Sequence, residues 1–210
     1  MKIPNLANEE EPTEQPILEL SATTQLSDYV SAIAWSPIGN TLAAACCNGE
    51  VHLIKSFVGR ALCPPTNNSI DALAFSHDGK WLAAGGLDGN IRHLAWADLP
   101  PSANFPPFLA ASTRELVTVW VKSPLDWESW VLELSSGNVI DVAFQPKSGV
   151  LASLAEDGWI VLWQAAVEAV QVLDGAEEGF CCLGWHPTGC RLAAGGRQGE
   201  LFVWSVCGRS

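Results

Sequence analysis

A Leu-Ala-Ala or Leu-Ala-Ser element occurs five times along this chain, at Leu42, Leu82, Leu109, Leu151 and Leu192, with separations of 40, 27, 42 and 41 residues. A repeat of about 40 residues is one supersecondary unit that cannot bury its apolar faces alone, so its copies must stack on one another. In four of the five copies an aromatic stands seven residues before the leucine: Trp35, Phe75, Phe144 and Trp185.

Each copy decodes into strands through its period and its turn residues. An apolar strand ends on the aromatic, and a loop bearing Pro or Gly, such as 37–40 or 77–80, reverses the chain. The Leu-Ala-Ala strand follows. Next comes an Asx-Gly-type turn at Asn48-Gly49, Asp88-Gly89, Asp157-Gly158 or Gln198-Gly199, which suggests a two-residue hairpin. A third strand then ends about twelve residues after the leucine, at Ile54, Leu94, Trp120, Trp163 or Trp204. An outer fourth strand is clearest at 131–134. Four-stranded antiparallel units stacked about an axis give a propeller.

With these residues in place, the segment Leu151-Ala-Ser-Leu-Ala-Glu-Asp-Gly-Trp-Ile-Val-Leu-Trp163 resembles the second strand, turn and third strand of a WD40 repeat. The resemblance spans residues 17–206 and is nearest to bacterial-type WD40-repeat proteins. It implies an all-β propeller of about five blades, one of them incomplete, acting as a non-catalytic scaffold for proteins or peptides. The family's opening Gly-His and closing Trp-Asp dipeptides are missing, since Gln164 follows Trp163 and Ser205 follows Trp204. The buried His-Ser-Asp-Trp network of the family is therefore complete in no blade, and Asp88 and Asp157 are its remnants, expected to satisfy turn amides.

The interval of 27 residues marks a loss of repeat sequence near residue 90. Residues 91–96 can be read as the third strand of unit two, ending at Leu94. They can also be read as the first strand of unit three, because Leu94-Ala-Trp96 matches Ile33-Ala-Trp35. The second reading is favoured, and either one leaves a defective blade. At the other end, Ile17-Leu-Glu-Leu-Ser21 repeats Val131-Leu-Glu-Leu-Ser135, and it is expected to complete the last blade and close the ring. An open arc would favour self-association.

Charge narrows the partners. There are 11 Lys plus Arg against 23 Asp plus Glu, for a net charge of −12. Such a surface repels phosphate backbones and anionic headgroups, so neither nucleic acid nor a membrane is expected as partner. Residues 1–16 carry Glu9, Glu10, Glu11 and Glu14 with three prolines and read as a disordered acidic tail, with 207–210 a short C-terminal tail. The seven cysteines, with no C-x-x-C spacing, are expected as reduced, partly buried thiols in a cytoplasmic protein, and within the strand-borne pairs Cys46-Cys47 and Cys181-Cys182 the neighbours are expected to point to opposite faces.

Catalytic signatures are scarce. His52, His77, His93 and His186 lie in separate units at no metal-ligand spacing, and no nucleophile elbow or P-loop occurs. No cofactor and no catalytic residue is assigned. Gly85-Gly86 and Gly195-Gly196 sit at equivalent strand positions as packing glycines. Trp35, Trp96, Trp120, Trp163, Trp185 and Trp204 have core addresses in the repeat, whereas Trp81, Trp127, Trp130 and Trp159 do not. Trp159 follows an Asp-Gly turn and Trp127 with Trp130 is expected to flank a loop, so these three are the candidates for an exposed aromatic surface.

In the family that the chain resembles, the turn between second and third strands and the loop leading into the next blade share one rim. Mapped onto this sequence, that rim collects Asp28, Asp88, Glu115, Glu156, Asp157, Glu177 and Glu178 against Arg114 and Arg197, which suits a basic partner. The alternatives are a ligand or enzymatic site in the central channel, or a degenerate relative with little function of its own.

Overall fold

The computed structural model describes residues 20–206 apart from 22, 57, 88–89, 101–105, 134–136 and 165–167. Among these residues all 17 regular elements are β-strands. Blade one is β1 (Val30–Trp35), β2 (Thr41–Cys46), β3 (Val51–Lys55) and β4 (Val58–Cys63), hydrogen-bonded in that order. Blade two holds only β5 (Ile70–Phe75) and β6 (Leu82–Gly86). Blade three is β7 (His93–Trp96), β8 (Phe108–Ser112), β9 (Leu116–Lys122) and β10 (Trp127–Glu133). Blade four is β11 (Val139–Phe144), β12 (Leu151–Ala155), β13 (Trp159–Gln164) and β14 (Glu168–Asp174), and blade five is β15 (Phe180–Trp185), β16 (Arg191–Gly196) and β17 (Leu201–Ser205).

The repeat elements fall into one register. The aromatic that ends each inner strand lies opposite the repeat leucine: Trp35–Leu42, Phe75–Leu82, Trp96–Leu109, Phe144–Leu151 and Trp185–Leu192. On the leucine's other side stands the end of the third strand, Ile54, Trp120, Trp163 or Trp204. Residues 93–96 pair with β8 and so form the inner strand of blade three, the favoured of the two alignments. Blade two is the defective blade, with two described strands where the other blades have three or four.

Small residues on the second strands allow close stacking between blades. Ala43, Ala110 and Ala152 are fully buried at one repeat position, and Ala44, Ala111, Ser153 and Ala194 are no more than 2% exposed at another. Between blades three and four the core comprises Val117, Val119, Val142, Phe144, Leu151 and Trp163, and between blades four and five Leu154, Ile160, Phe180 and Leu192. At Gly86 a Cβ would run into the Ser69 carbonyl and at Gly85 into Ile91, so these glycines do serve close packing.

Three local expectations are corrected. The turns at Asn48-Gly49 and Gln198-Gly199 are three-residue loops: the amides of Gly49 and Gly199 bond back to Cys46 and Gly196 at 3.0 and 3.2 Å, with φ of 88° and 90°. A type I turn closed by a left-handed glycine suits this sequence because only the second residue of each pair has to leave the right-handed region. The second correction concerns Cys181 and Cys182, whose alternation is broken by a bulge in β15, bringing their Sγ atoms to 4.0 Å. Both are exposed, as are Cys47, Cys63 and Cys190, and only Cys46 is buried among the described thiols. Finally, Trp130 lies inside β10 and not beside a loop, whereas Trp127 is the first residue of that strand and borders the 123–126 turn.

The inner strands β1, β5, β7, β11 and β15 pack one on the next in chain order, but β15 and β1 do not meet in that way among the described residues. The arc is open. Trp35, which has a core address in the repeat, is consequently 66% exposed beside Ile33 on the free face of blade one, and Leu201 and Val203 are exposed on the free face of blade five. Most of the strand expected at 17–21 lies outside the described residues, as do the whole acidic tail at 1–16 and the whole C-terminal tail at 207–210.

Candidate functional site

One end of the arc carries the turns between second and third strands together with the loops that lead into the next blade. Backbone bonds tie these pieces: Cys47 N–H to the Tyr29 carbonyl, Val139 N–H to Arg114, Glu156 N–H to Asn138 and Arg197 N–H to Gly179. Asp28, Arg114, Glu115, Glu156, Asp157, Glu177, Glu178 and Arg197 therefore share this rim, and Asp88 lies outside the described residues.

The rim acids are not equivalent. Glu156 accepts bonds from Arg197 Nη2 at 2.7 Å and Asn138 Nδ2 at 2.6 Å. These bonds hold its carboxyl below the usual range, with the Arg197 bond the largest cause, so the pair braces blade four to blade five. At the blade-one turn, Glu50 is lowered chiefly by the Ser27 hydroxyl that donates to it. Glu115, Asp157, Glu177 and Glu178 stand exposed, and Asp28 caps the Tyr29 amide at 2.8 Å.

The tryptophans divide differently from the expectation. Trp130 and Trp159 are each 40% exposed. Trp127 is half-buried, edge-on to Trp81 at 5.6 Å and to Trp96 at 6.0 Å between ring centroids. This cluster walls a cleft of about 460 Å3 that also takes in Trp120, Leu94, Leu109 and β6. The cleft was not foreseen. Its signal was the short interval between Leu82 and Leu109, because the strands missing there are the ones that would cover Trp96 and Trp120.

A recurring bond joins consecutive blades. Trp96 Nε1 donates to the Ala74 carbonyl at 2.9 Å and Trp185 Nε1 to the Ala143 carbonyl at 3.2 Å; each acceptor precedes the aromatic that ends the inner strand of the blade before.

Models of the "WD domain, G-beta repeat" match residues 15–55, 60–93 and 167–205, together more than half of the chain. The protein belongs to the WD40-repeat family. A probable cytosolic iron-sulfur protein assembly protein 1 from Cryptococcus neoformans is 32% identical over 103 residues, which is 48% of this chain and 21% of the relative. Protein HIRA of Gallus gallus is 31% identical over 117 residues, covering 51% of this chain and 10% of that protein. The chain thus spans a small part of the curated relatives it matches. Among solved structures, the β-propeller domain of Cps50 (Swd1) from Myceliophteria thermophila aligns with 90% of this chain and 68% of its own, at a TM-score of 0.68 and 14% identity. That likeness shows the fold.

Within this WD40 chain one half of the family's internal network survives: Trp163 Nε1 donates to the buried Ser153 Oγ at 2.8 Å. Turn bonds of the kind expected from Asp88 and Asp157 are seen from Asn48, whose Oδ1 accepts the Glu50 amide at 3.0 Å. His186 acts in turn chemistry, its Nδ1 accepting the Thr188 amide at 3.2 Å. His93 and Asp141 approach to 3.8 Å across the inner strands of blades three and four, and burial raises the Asp141 carboxyl above its ordinary value. Among the described residues no group of three or more His, Cys, Asp or Glu side chains is placed to hold a metal ion.

Proposed function

We propose that this WD40 chain is a non-catalytic docking module that takes a basic protein or peptide on its acidic rim. The observation that carries the reading is the clustering of exposed Glu115, Asp157, Glu177 and Glu178 on one line of turns, while Arg197 is engaged by Glu156. Turns held on stacked sheets make a rigid platform, and acidic side chains on it steer a cationic partner and fix its register. Relatives named for iron-sulfur protein assembly and, in Saccharomyces cerevisiae, as a polyadenylation factor subunit support an assembly role. The cytosolic relative supports a cytoplasmic setting.

The test is a fluorescent Lys/Arg-rich peptide titrated against the protein and against a variant with Glu115, Asp157, Glu177 and Glu178 replaced by lysine. Loss of salt-sensitive binding with an unchanged melt supports the proposal; equal binding by both proteins refutes it. A second reading, self-association through the free end faces, is favoured by the exposure of Trp35, Leu201 and Val203. Sedimentation velocity over a concentration series checks it.

A further inference from the structure

Among the described residues blade two has no strand beyond its second, which leaves one edge of β6 uncovered. The Trp81 carbonyl accepts the Ser76 amide at 2.9 Å, so Trp81 turns its backbone groups toward β5. In an antiparallel ladder alternate residues point opposite ways, so Leu82, Ala84 and Gly86 turn their N–H and C=O groups outward. The Gly86 carbonyl is taken by the Ile91 amide at 3.1 Å, which agrees with this orientation. No described strand takes the groups of Leu82 and Ala84. In the other blades the corresponding edge is filled by β3, β9, β13 or β17.

Side-chain burial agrees with the backbone. Ala84 is exposed, whereas Ala44, Ala111, Ser153 and Ala194 at its repeat position are no more than 2% exposed. Against the open edge lies the cleft of about 460 Å3 walled by Trp81, Trp96, Trp120 and Trp127. Its size is within the range of roughly 300–1,000 Å3 that binding sites use. A free strand edge supplies main-chain bonds, and an apolar pocket beside it selects alternate side chains, which together are the two requirements for capturing an extended peptide.

We propose that β6 and the tryptophan cleft form a strand-addition site for an extended apolar peptide from a partner protein, which enters as the missing third strand of blade two. This site is separate from the acidic rim and does not depend on it. The intact blades give the register. Opposite Ala152 and Leu154 stand Leu162 and Ile160 of β13, and these pack toward blade five. A peptide antiparallel to β6 would likewise set aliphatic side chains opposite Ala83 and Gly85, two residues apart, against Trp96, Trp120 and Trp127. Residues opposite Leu82 and Ala84 would face blade one. The ligand is an extended segment with branched aliphatics at alternate positions and no proline in the paired stretch, and nothing in the site demands charge.

The probe is a labelled peptide with the sequence of residues 158–165, Gly-Trp-Ile-Val-Leu-Trp-Gln-Ala, carrying two added lysines for solubility. Binding to the full chain is read by fluorescence polarisation, and amide exchange at Leu82 and Ala84 by mass spectrometry. The expected result is saturable binding with slowed exchange at those two amides. Binding should weaken at least tenfold with a peptide N-methylated on its β6-facing amides, and with Ala84→Pro, which deletes the outward donor at an edge position where proline is tolerated. The melt of Ala84→Pro confirms that it folds, and the N-methylated peptide tests the idea on the unaltered protein. Equal affinity of the methylated peptide would overturn strand addition in favour of greasy adsorption. Protection of Leu82 and Ala84 before any peptide is added would overturn it too, by showing that the chain fills its own edge.

Discussion

Blades two and four contain the same repeat, yet one is a ledge and the other a packed interior layer. Leu151, Leu154 and Ile160 of blade four are fully buried, and Ser153 has its Trp163 partner inside. At blade two, Leu82 is half-buried, Ala84 is exposed and Trp81 is 38% exposed. In both blades the second strand opens on Leu-Ala opposite an Ala-Phe that ends the first, so the difference at these shared positions arises from the chain beyond them. Third and fourth strands cover blade four, whereas the chain leaves blade two directly for the inner strand of blade three. In a stacked fold the burial of a residue is decided by its neighbours, and an unaltered repeat element becomes surface when the next strand is lost.

The contrast should be largest for truncations in the blade-four layer. Leu154→Ala should cost about 2–5 kcal/mol, the range for a fully enclosed leucine, and Leu82→Ala clearly less, because its cavity would open to solvent. Urea melts of the two variants check the ranking, and equal losses would contradict it. Next in size, Trp163→Phe keeps most of the buried surface but leaves the Ser153 hydroxyl without its indole donor, a loss of about 1–3 kcal/mol. Trp96→Phe, which removes the bond to Ala74 at the half-open cleft, should cost less in the same melts.

The smallest effects are electrostatic and carry opposite signs. Arg197 lowers the folded-state pKa of Glu156, so its contribution is present above the ordinary value of 4.5 and is lost as pH falls through the lower folded value. Glu156→Gln should flatten the acid side of the profile of melting temperature against pH. Asp141 is raised from 3.8, chiefly by burial, so its charged form is disfavoured in the fold. That cost is absent below 3.8 and grows as pH rises through the folded value. Asp141→Asn should therefore melt slightly higher at neutral pH, with the gain fading toward pH 4.

Much of this architecture was legible because the repeat carries its own register. The aromatic seven residues before each leucine becomes its cross-strand partner in blades one, two, four and five, and Leu94-Ala-Trp96 disclosed the inner strand of blade three. What stayed hidden depends on contacts between units. Trp35 and Trp185 hold the same repeat position, but Trp185 meets the Ala143 carbonyl while Trp35 faces the gap of an open arc. The rim acids could be placed by turn position, but the pairing of Glu156 with Arg197 from another blade could not. Adjacent Cys181 and Cys182 misled because a single bulge resets the alternation on which face assignments rest.

Whether blade two ends in an open edge at β6 is decided by native-state hydrogen exchange of second-strand amides. Leu82 and Ala84 should exchange on the order of 100-fold or more faster than Leu151 and Ser153 in blade four, because only the latter amides are locked between two strands. Comparable protection at both pairs would show that blade two is covered after all, and the open edge would have to be abandoned.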